Sequence, residues 1–195
     1  MPLLERDDCF LLVIDAQQCF YPTTRDDVDF DRLHDTFDRS GWLVAVASVV
    51  GVPIVVTEEE ADINGATDAR IASHLPHGTP ILDKKYFGAP ANPQIMRAID
   101  DTHRGTAVIV GMETDVCVSH TALLLKQQGH RVVVAQDCLF SPGDSHDAGL
   151  QRLRDAGVEM LSAKGVFYDW VRGVAELYAA CAASDVVRRT PGFHL

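Results

Sequence analysis

A three-layer α/β fold, with helices on both faces of a mainly parallel six-stranded sheet, is predicted by three observations. Strand and helix signals alternate along all 195 residues. The strand segments are continuous apolar runs rather than alternating ones, the pattern of strands buried on both faces. No linker, repeat or low-complexity stretch interrupts the alternation. The reading is therefore a single domain over residues 1–195, long enough to bury a full core.

Each element has its own warrant. Cys9-Phe10-Leu11-Leu12-Val13-Ile14 is the first strand, and a helical pattern follows over residues 29–50. A second strand covers 52–57, begun after Gly51 and Pro53, and a short third covers 79–82. Residues 92–103 read as a helix, with Pro93 suited to its first turn. Thr106-Ala107-Val108-Ile109-Val110 is the fourth strand, followed by a helix over 116–128 that Gly129 closes. Strand five covers 131–135. A helix over 145–156 is stopped by Gly157, strand six covers 158–162, and residues 166–187 read as helical. The loosest stretch is 58–75, with mixed polarity and no strong period.

Composition excludes several classes. Hydrophobic residues make up 47% and charged residues 23%, with mean hydropathy +0.02, an ordinary globular balance. A net charge of −11 and a pI near 5.0 argue against a nucleic-acid backbone or an anionic membrane as partner. There is no apolar run of membrane-spanning length, and the first eight residues do not read as a signal peptide. The five cysteines, at 9, 19, 117, 138 and 181, include no C-x-x-C pair. Reduced thiols in a cytoplasm are expected, rather than disulfides or a zinc site.

In a doubly covered parallel sheet, ligands bind beyond the carboxyl ends of the strands. Strand one ends in Asp15, strand two in Thr57-Glu58, strand three in Asp83-Lys84-Lys85, and strand four in Gly111-Met112-Glu113 with Cys117 just beyond. An acid, a lysine and a thiol thus converge on one edge. No G-x-G-x-x-G or Walker-type loop supplies a phosphate cradle. With Thr114 or Asp115 as N-cap, Cys117 falls in a first helical turn, where free N–H groups and the helix dipole favour a thiolate. Asp15 is placed to accept its proton, with backbone N–H groups at the helix start as donors to an oxyanion. Lys84 and Lys85 adjoin, so only one points into the site unless the backbone turns. His120, three residues after Cys117, lies beside the thiol in a substrate-lining or surface role.

Four segments resemble motifs of the isochorismatase-like cysteine hydrolases, a family that includes nicotinamidases and carbamoylsarcosine amidohydrolases. Leu12-Val13-Ile14-Asp15-Ala16-Gln17-Gln18-Cys19-Phe20 resembles an apolar strand followed by D-x-Q-x-x-F, and Lys84-Lys85-Tyr86-Phe87-Gly88-Ala89 resembles K-x-x-[YF]-[SG]-A. Gly111-Met112-Glu113-Thr114-Asp115-Val116-Cys117-Val118 resembles G-x-x-T-x-x-C-V, and Val132-Val133-Val134-Ala135-Gln136-Asp137-Cys138 a later strand of the family. Their order and spacing match over nearly the whole chain. The resemblance implies a Rossmann-like sheet of order 3-2-1-4-5-6. It also implies a catalytic triad of Asp15, Lys84 and Cys117, with Phe87-Gly88-Ala89 selecting Lys84 over Lys85. A cis peptide between Met112 and Glu113 is implied, aiming the N–H groups of Glu113 and Cys117 at the oxyanion. The implied reaction is attack of the thiolate on a small amide or ureide, loss of ammonia or an amine, and hydrolysis of the thioester.

Departures from the family pattern bound the reading. Nicotinamidases carry a D-x-H-type metal site after the second strand, whereas this chain has Thr57-Glu58-Glu59-Glu60-Ala61-Asp62. No metal and no other cofactor are expected. The three glutamates read as a solvated acidic turn, with Glu58 a candidate to face an amine-bearing substrate. Phe20, Phe87 and His120 are the other pocket candidates, while Tyr21, Tyr168 and Trp170 read as core or interface packing and Asp137 as structural. A vinyl-ether hydrolase that keeps Asp15 without using the thiol remains an alternative. So does a non-catalytic member that binds a metabolite or senses redox state through Cys117. The resemblance implies a homo-oligomer, a dimer or tetramer, with residues 175–187 as a candidate interface.

Overall fold

Six apolar residues, Cys9–Ile14, form β1 at the centre of the sheet, and all six are buried. The structure is a computed structural model and describes residues 2–195. Parallel ladders join β1 to β2 (Ile54–Glu59) on one side and to β4 (Thr106–Met112) on the other. β3 (Ile81–Lys84) lies outside β2, and β5 (Arg131–Phe140) and β6 (Glu159–Leu161) lie beyond β4. The order is β3-β2-β1-β4-β5-β6, and every ladder of the sheet is parallel. The strand order switches between β1 and β4, and there the adjoining connections leave on opposite faces and open a crevice.

The helices are α1 (Phe30–Val50), α2 (Ala61–Asn64), α3 (Ala69–Ala72), α4 (Pro93–Asp100), α5 (Ser119–Gln127), α6 (Ser145–Asp155), α7 (Ala163–Val171), α8 (Val174–Ala183) and α9 (Asp185–Arg188). Strand side chains alternate between faces, and the two cores follow that parity. Leu11, Val13, Val56, Val108 and Val110 pack with Leu33, Phe37 and Val44 of α1 and with Phe167 and Trp170 of α7. Phe10, Leu12, Ile14, Val55, Ile109 and Val134 pack with Ile95 and Ile99 of α4, Leu125 of α5 and Leu153 of α6. The three-layer expectation is met by this division. No helix among the described residues is long and apolar enough to cross a membrane.

Local chemistry sets the boundaries. The Asp29 carboxylate accepts the Arg32 N–H at 3.0 Å and starts α1, which Gly51 ends with φ +77°. Asn92 caps α4, with Pro93 as its first residue. β2 begins and ends two residues later than expected from the sequence, and its end is extended by pairing of Glu58 with Asp83 and Glu59 with Lys84. β5 continues to Phe140 beyond a register break opposite Ile109 and Gly111. The predicted C-terminal helix is three pieces: α7 starts at the Ser162 cap, Gly173 separates α7 from α8, and Ser184 caps α9.

Candidate active site

Asp15 follows the last residue of β1, and its φ of +45° lies in the left-handed region that few non-glycine residues adopt. Its N–H donates to the Thr57 carbonyl at 3.0 Å, so the turn is tied to the end of β2. Carboxylate Oδ1 accepts the Thr57 hydroxyl at 2.8 Å, and Oδ2 faces the Lys84 Nζ at 2.6 Å. Lys84 is the last residue of β3 and its side chain is wholly buried, while Lys85 is exposed. Strand alternation thus selects Lys84 on geometric grounds.

Cys117 sits in a π-helical turn, Thr114–Val118, that precedes α5. A first-turn position capped by Thr114 or Asp115 was expected, and the structure differs. Glu113 occupies the cap position without a side-chain cap, and its carbonyl accepts the N–H groups of both Val116, at 3.2 Å, and Val118, at 3.0 Å. Thr114 and Asp115 point elsewhere. The Thr114 hydroxyl bonds Nδ1 of His146 at 3.0 Å, and Asp115 Oδ1 accepts the Ser141 hydroxyl at 2.6 Å. Gly149 of α6 lets that helix press on the turn, since a Cβ there would lie 2.7 Å from the Asp115 nitrogen. The Met112–Glu113 peptide is cis. Just before it, Gly111 has φ +122°, and a Cβ there would lie 2.0 Å from the Ile14 carbonyl oxygen, so only glycine fits.

The three consecutive glutamates have three separate fates. Glu58 was a pocket candidate, yet it turns to the other face of β2, where its carboxylate accepts the Thr67 N–H at 2.6 Å and hydroxyl at 2.7 Å. Glu59 shares the face of Thr57, and its Oε2 lies 3.2 Å from the Cys117 sulfur and 3.7 Å from Lys84 Nζ. Glu60, with φ +43°, leads into α2. The solvated acidic turn expected from the sequence is therefore incorrect for the first two. Period-two counting from Thr57 would have singled out Glu59, had the strand been extended past residue 57.

Oxygen and sulfur atoms of Asp15, Glu59 and Cys117 lie within 4.8 Å of one another, close enough by distance alone to hold a cation. The Lys84 ammonium already stands among them, 2.6 Å from Asp15, 3.6 Å from Cys117 and 3.7 Å from Glu59. A divalent ion would be forced against that positive charge, so the donor set does not fit one.

A cavity of about 180 Å³ opens over Cys117, lined by Phe20, Arg25, Glu59, Phe87, Met112, Glu113 and Val116 as well as the cysteine. Phe20 and Phe87, both sequence candidates, line it. His120 does not line it; it is exposed and packs edge-on against Phe87 with ring centres 6.0 Å apart. Arg25 had no distinguishing signal in the sequence. It is held at the rim by Asp27 and by the Phe20 carbonyl. Tyr21 and Trp170 are buried, and Asp137 Oδ1 accepts the Ala163 N–H at the start of α7, a structural role.

Burial dominates the electrostatics. It pushes the Asp15 carboxyl above the ordinary range despite the opposing Lys84 charge. Burial alone would lower Lys84, but the facing Asp15, Cys117 and Glu59 outweigh it and hold the ammonium charged. The Cys117 thiol is pushed well up by burial, with the Asp15 charge adding to the effect and Lys84 opposing it. Burial thus works against the helix-stabilised thiolate expected from the sequence. Glu113 is also raised, by burial and by the neighbouring Asp115 charge.

Known proteins share this arrangement of strands. The probable hydrolase YcaC of Escherichia coli (strain K12) is 26% identical over 186 residues, 90% of this chain and 87% of that protein. Its solved structure superposes with a TM-score of 0.80 at 21% identity, over 92% of this chain and 89% of that one, and is described as an octameric hydrolase of unknown specificity. A nicotinamidase of Schizosaccharomyces pombe is 31% identical over 109 residues, 54% of this chain and 50% of that one. A structure of MAR1 ribonuclease from Caenorhabditis elegans matches with a TM-score of 0.85 at 20% identity, covering 98% of this chain and 95% of that one. The family model described as Isochorismatase domain matches residues 9–165, from β1 into the start of α7, and the chain therefore belongs to the isochorismatase family of hydrolases.

Proposed function

We propose that this isochorismatase-family hydrolase cleaves the C–N bond of a small amide or ureide through a thioester on Cys117, with no catalytic metal. One observation carries the reading: the buried Lys84 ammonium lies between the Asp15 carboxylate, at 2.6 Å, and the Cys117 sulfur, at 3.6 Å. A binding module has no use for that costly arrangement, whereas a nucleophile needs its proton acceptor and an electrostatic clamp together.

In this mechanism the thiol proton, directed at rest toward Glu59 Oε2, passes to Asp15 as the sulfur attacks the carbonyl carbon. The carbonyl electron pair moves onto oxygen, which is met by the N–H groups of Glu113 and Cys117. The Val116 and Val118 amides of the same turn are already taken by the Glu113 carbonyl, so the turn keeps one fixed shape as charge develops. Asp15 then returns the proton to nitrogen, the C–N bond breaks, and ammonia or an amine leaves. Water attacks the thioester, giving its proton to Asp15. Collapse releases the acid and restores the thiol. The raised carboxyl of Asp15 suits both transfers, because its affinity for protons is increased by burial while Lys84 keeps it an acceptor.

The test is ammonia release from a panel of small amides and ureides. Cys117→Ala is expected to lower kcat/KM by roughly 10³-fold or more, and Asp15→Asn by roughly 10²–10⁴-fold. A fully active Cys117→Ala variant would overturn the reading, and isochorismate turnover by that variant would instead establish vinyl-ether hydrolysis. The wider proposal is a single domain over residues 1–195 acting on a small molecule in a reducing cytoplasm as a homo-oligomer. Its support is the set of free cysteines, 9, 19, 117, 138 and 181, together with exposed apolar side chains on α8.

A further inference from the structure

We propose that Glu59 determines specificity at this site. It selects a substrate that presents an N–H donor beside the carbonyl attacked by Cys117, and it excludes one that presents a carboxylate there. The inference rests on the cysteine-hydrolase reading for the identity of the reacting atom.

Placement is the first argument. Glu59 Oε2 is 3.2 Å from the sulfur and accepts its S–H. The side chain is 21% exposed and lines the cavity. Any group bonded to the sulfur must therefore lie against this carboxylate, and once the thiol has given up its proton the acceptor is free for the substrate.

The second argument is the contrast with Asp15. Both Asp15 oxygens are occupied, one by Thr57 and one by Lys84. Among the described residues Glu59 makes side-chain contacts only through Oε2, with the thiol and with Lys84. Oε1 is left to accept from a ligand, and a buried site that offers an acceptor discriminates strongly against a molecule without the matching donor.

The third argument is how firmly the residue is held. Its N–H donates to Gln17 Oε1 at 2.7 Å, and its carbonyl accepts from Gln17 Nε2 at 3.2 Å and Asn64 Nδ2 at 2.9 Å. Gln17 is fully buried, so the Glu59 backbone is fixed, and its carboxylate is drawn toward the thiol by Lys84. Glu113 adds a second acid to the cavity wall, and the one cation of the rim, Arg25, is engaged by both oxygens of Asp27. A carboxylate in the cavity would face two acids, while the nearby cations are engaged, Arg25 by Asp27 and Lys84 by Asp15 and Glu59.

The experiment compares two reagents that form the same S–C bond, expel iodide and release the thiol proton to buffer. Iodoacetamide carries an N–H donor and iodoacetate a carboxylate. Their rates at Cys117 are read by peptide mass analysis at one pH, with the exposed Cys19 of the same sample as reference, so the thiolate fraction cancels in the ratio. The iodoacetamide preference at Cys117 should exceed that at Cys19 by about tenfold, and Glu59→Gln should remove the excess. An excess unchanged in Glu59→Gln overturns the proposal. On the native chain, 2-aminoethyl methanethiosulfonate should likewise outpace the 2-sulfonatoethyl reagent at Cys117 by about tenfold more than at Cys19, and equal ratios overturn it without any variant. Hydrolysis by a protein that lacks the preference counts against this inference alone. The preference without turnover of any C–N substrate counts against the hydrolase reading alone.

Discussion

Burial of the Cys117 thiol changes how that residue should behave. Because burial raises it above the ordinary value of 9.0, the thiolate fraction is lower than that of a free cysteine at every pH below that value. The iodoacetamide rate at Cys117 should therefore climb with pH to a midpoint above 9.0, and a midpoint near 7 would show that burial does not control the group. Reactivity then comes from proton transfer to a neighbour on substrate arrival, not from a standing thiolate. At this scale the sequence is informative where a strand end fixes a residue. Asp15 ends an unbroken apolar run and Cys117 follows another, so both stand out as candidates. Glu59 does not, since propensity ends β2 at Thr57, and only pairing with β3 extends the strand far enough to turn residue 59, rather than 58, toward the thiol.

The π turn is an element that a helix-start reading of the sequence misses, because it is made by contacts from distant residues. Ser141 beyond β5 and His146 and Gly149 of α6 shape it, and none is near it in the chain. His146 also makes the turn sensitive to acid. Burial, with the Arg32 charge adding, lowers its imidazole from 6.5 to about 4. A histidine that is harder to protonate in the folded chain takes up a proton on unfolding. Its contribution to stability is therefore complete above pH 6.5 and is lost as pH falls from 6.5 toward 4. Urea midpoints for the native protein should drop across that window more steeply than those of His146→Gln, and parallel curves would remove this role. Element types were legible because caps and breakers are local, as at Asp29, Asn92 and Gly51. The break at Gly173 and the extension of β5 were not, since register and packing decide them.

For the whole molecule, continuous apolar runs were enough to predict three layers, because runs such as Phe10 to Ile14 must be covered on both faces. Strand order was implied by the family resemblance rather than by periodicity, which is silent about neighbours. Several large apolar side chains are exposed among the described residues, two of them on α8. Val174 and Tyr178 of α8 are each 68% exposed, Leu3 is 54% exposed and Tyr168 40%, more apolar area than a lone chain gains by showing to water. The expected outcome is a sedimentation mass above that of one chain, reduced by Val174→Glu with Tyr178→Glu. A native protein that sediments as a monomer would contradict it.

The site takes Asp15, Glu59, Lys84 and Cys117 from the ends of four strands that are adjacent in the sheet and well separated along the chain. No short fragment contains the set, and each member depends on a parallel pairing that must close a long loop before it gains a contact. During refolding, helical signal can return from local segments while the sulfur still has no neighbours. Recovery of activity is thus a clock for the last of three central pairings to lock, and it should run later than any spectroscopic measure of secondary structure.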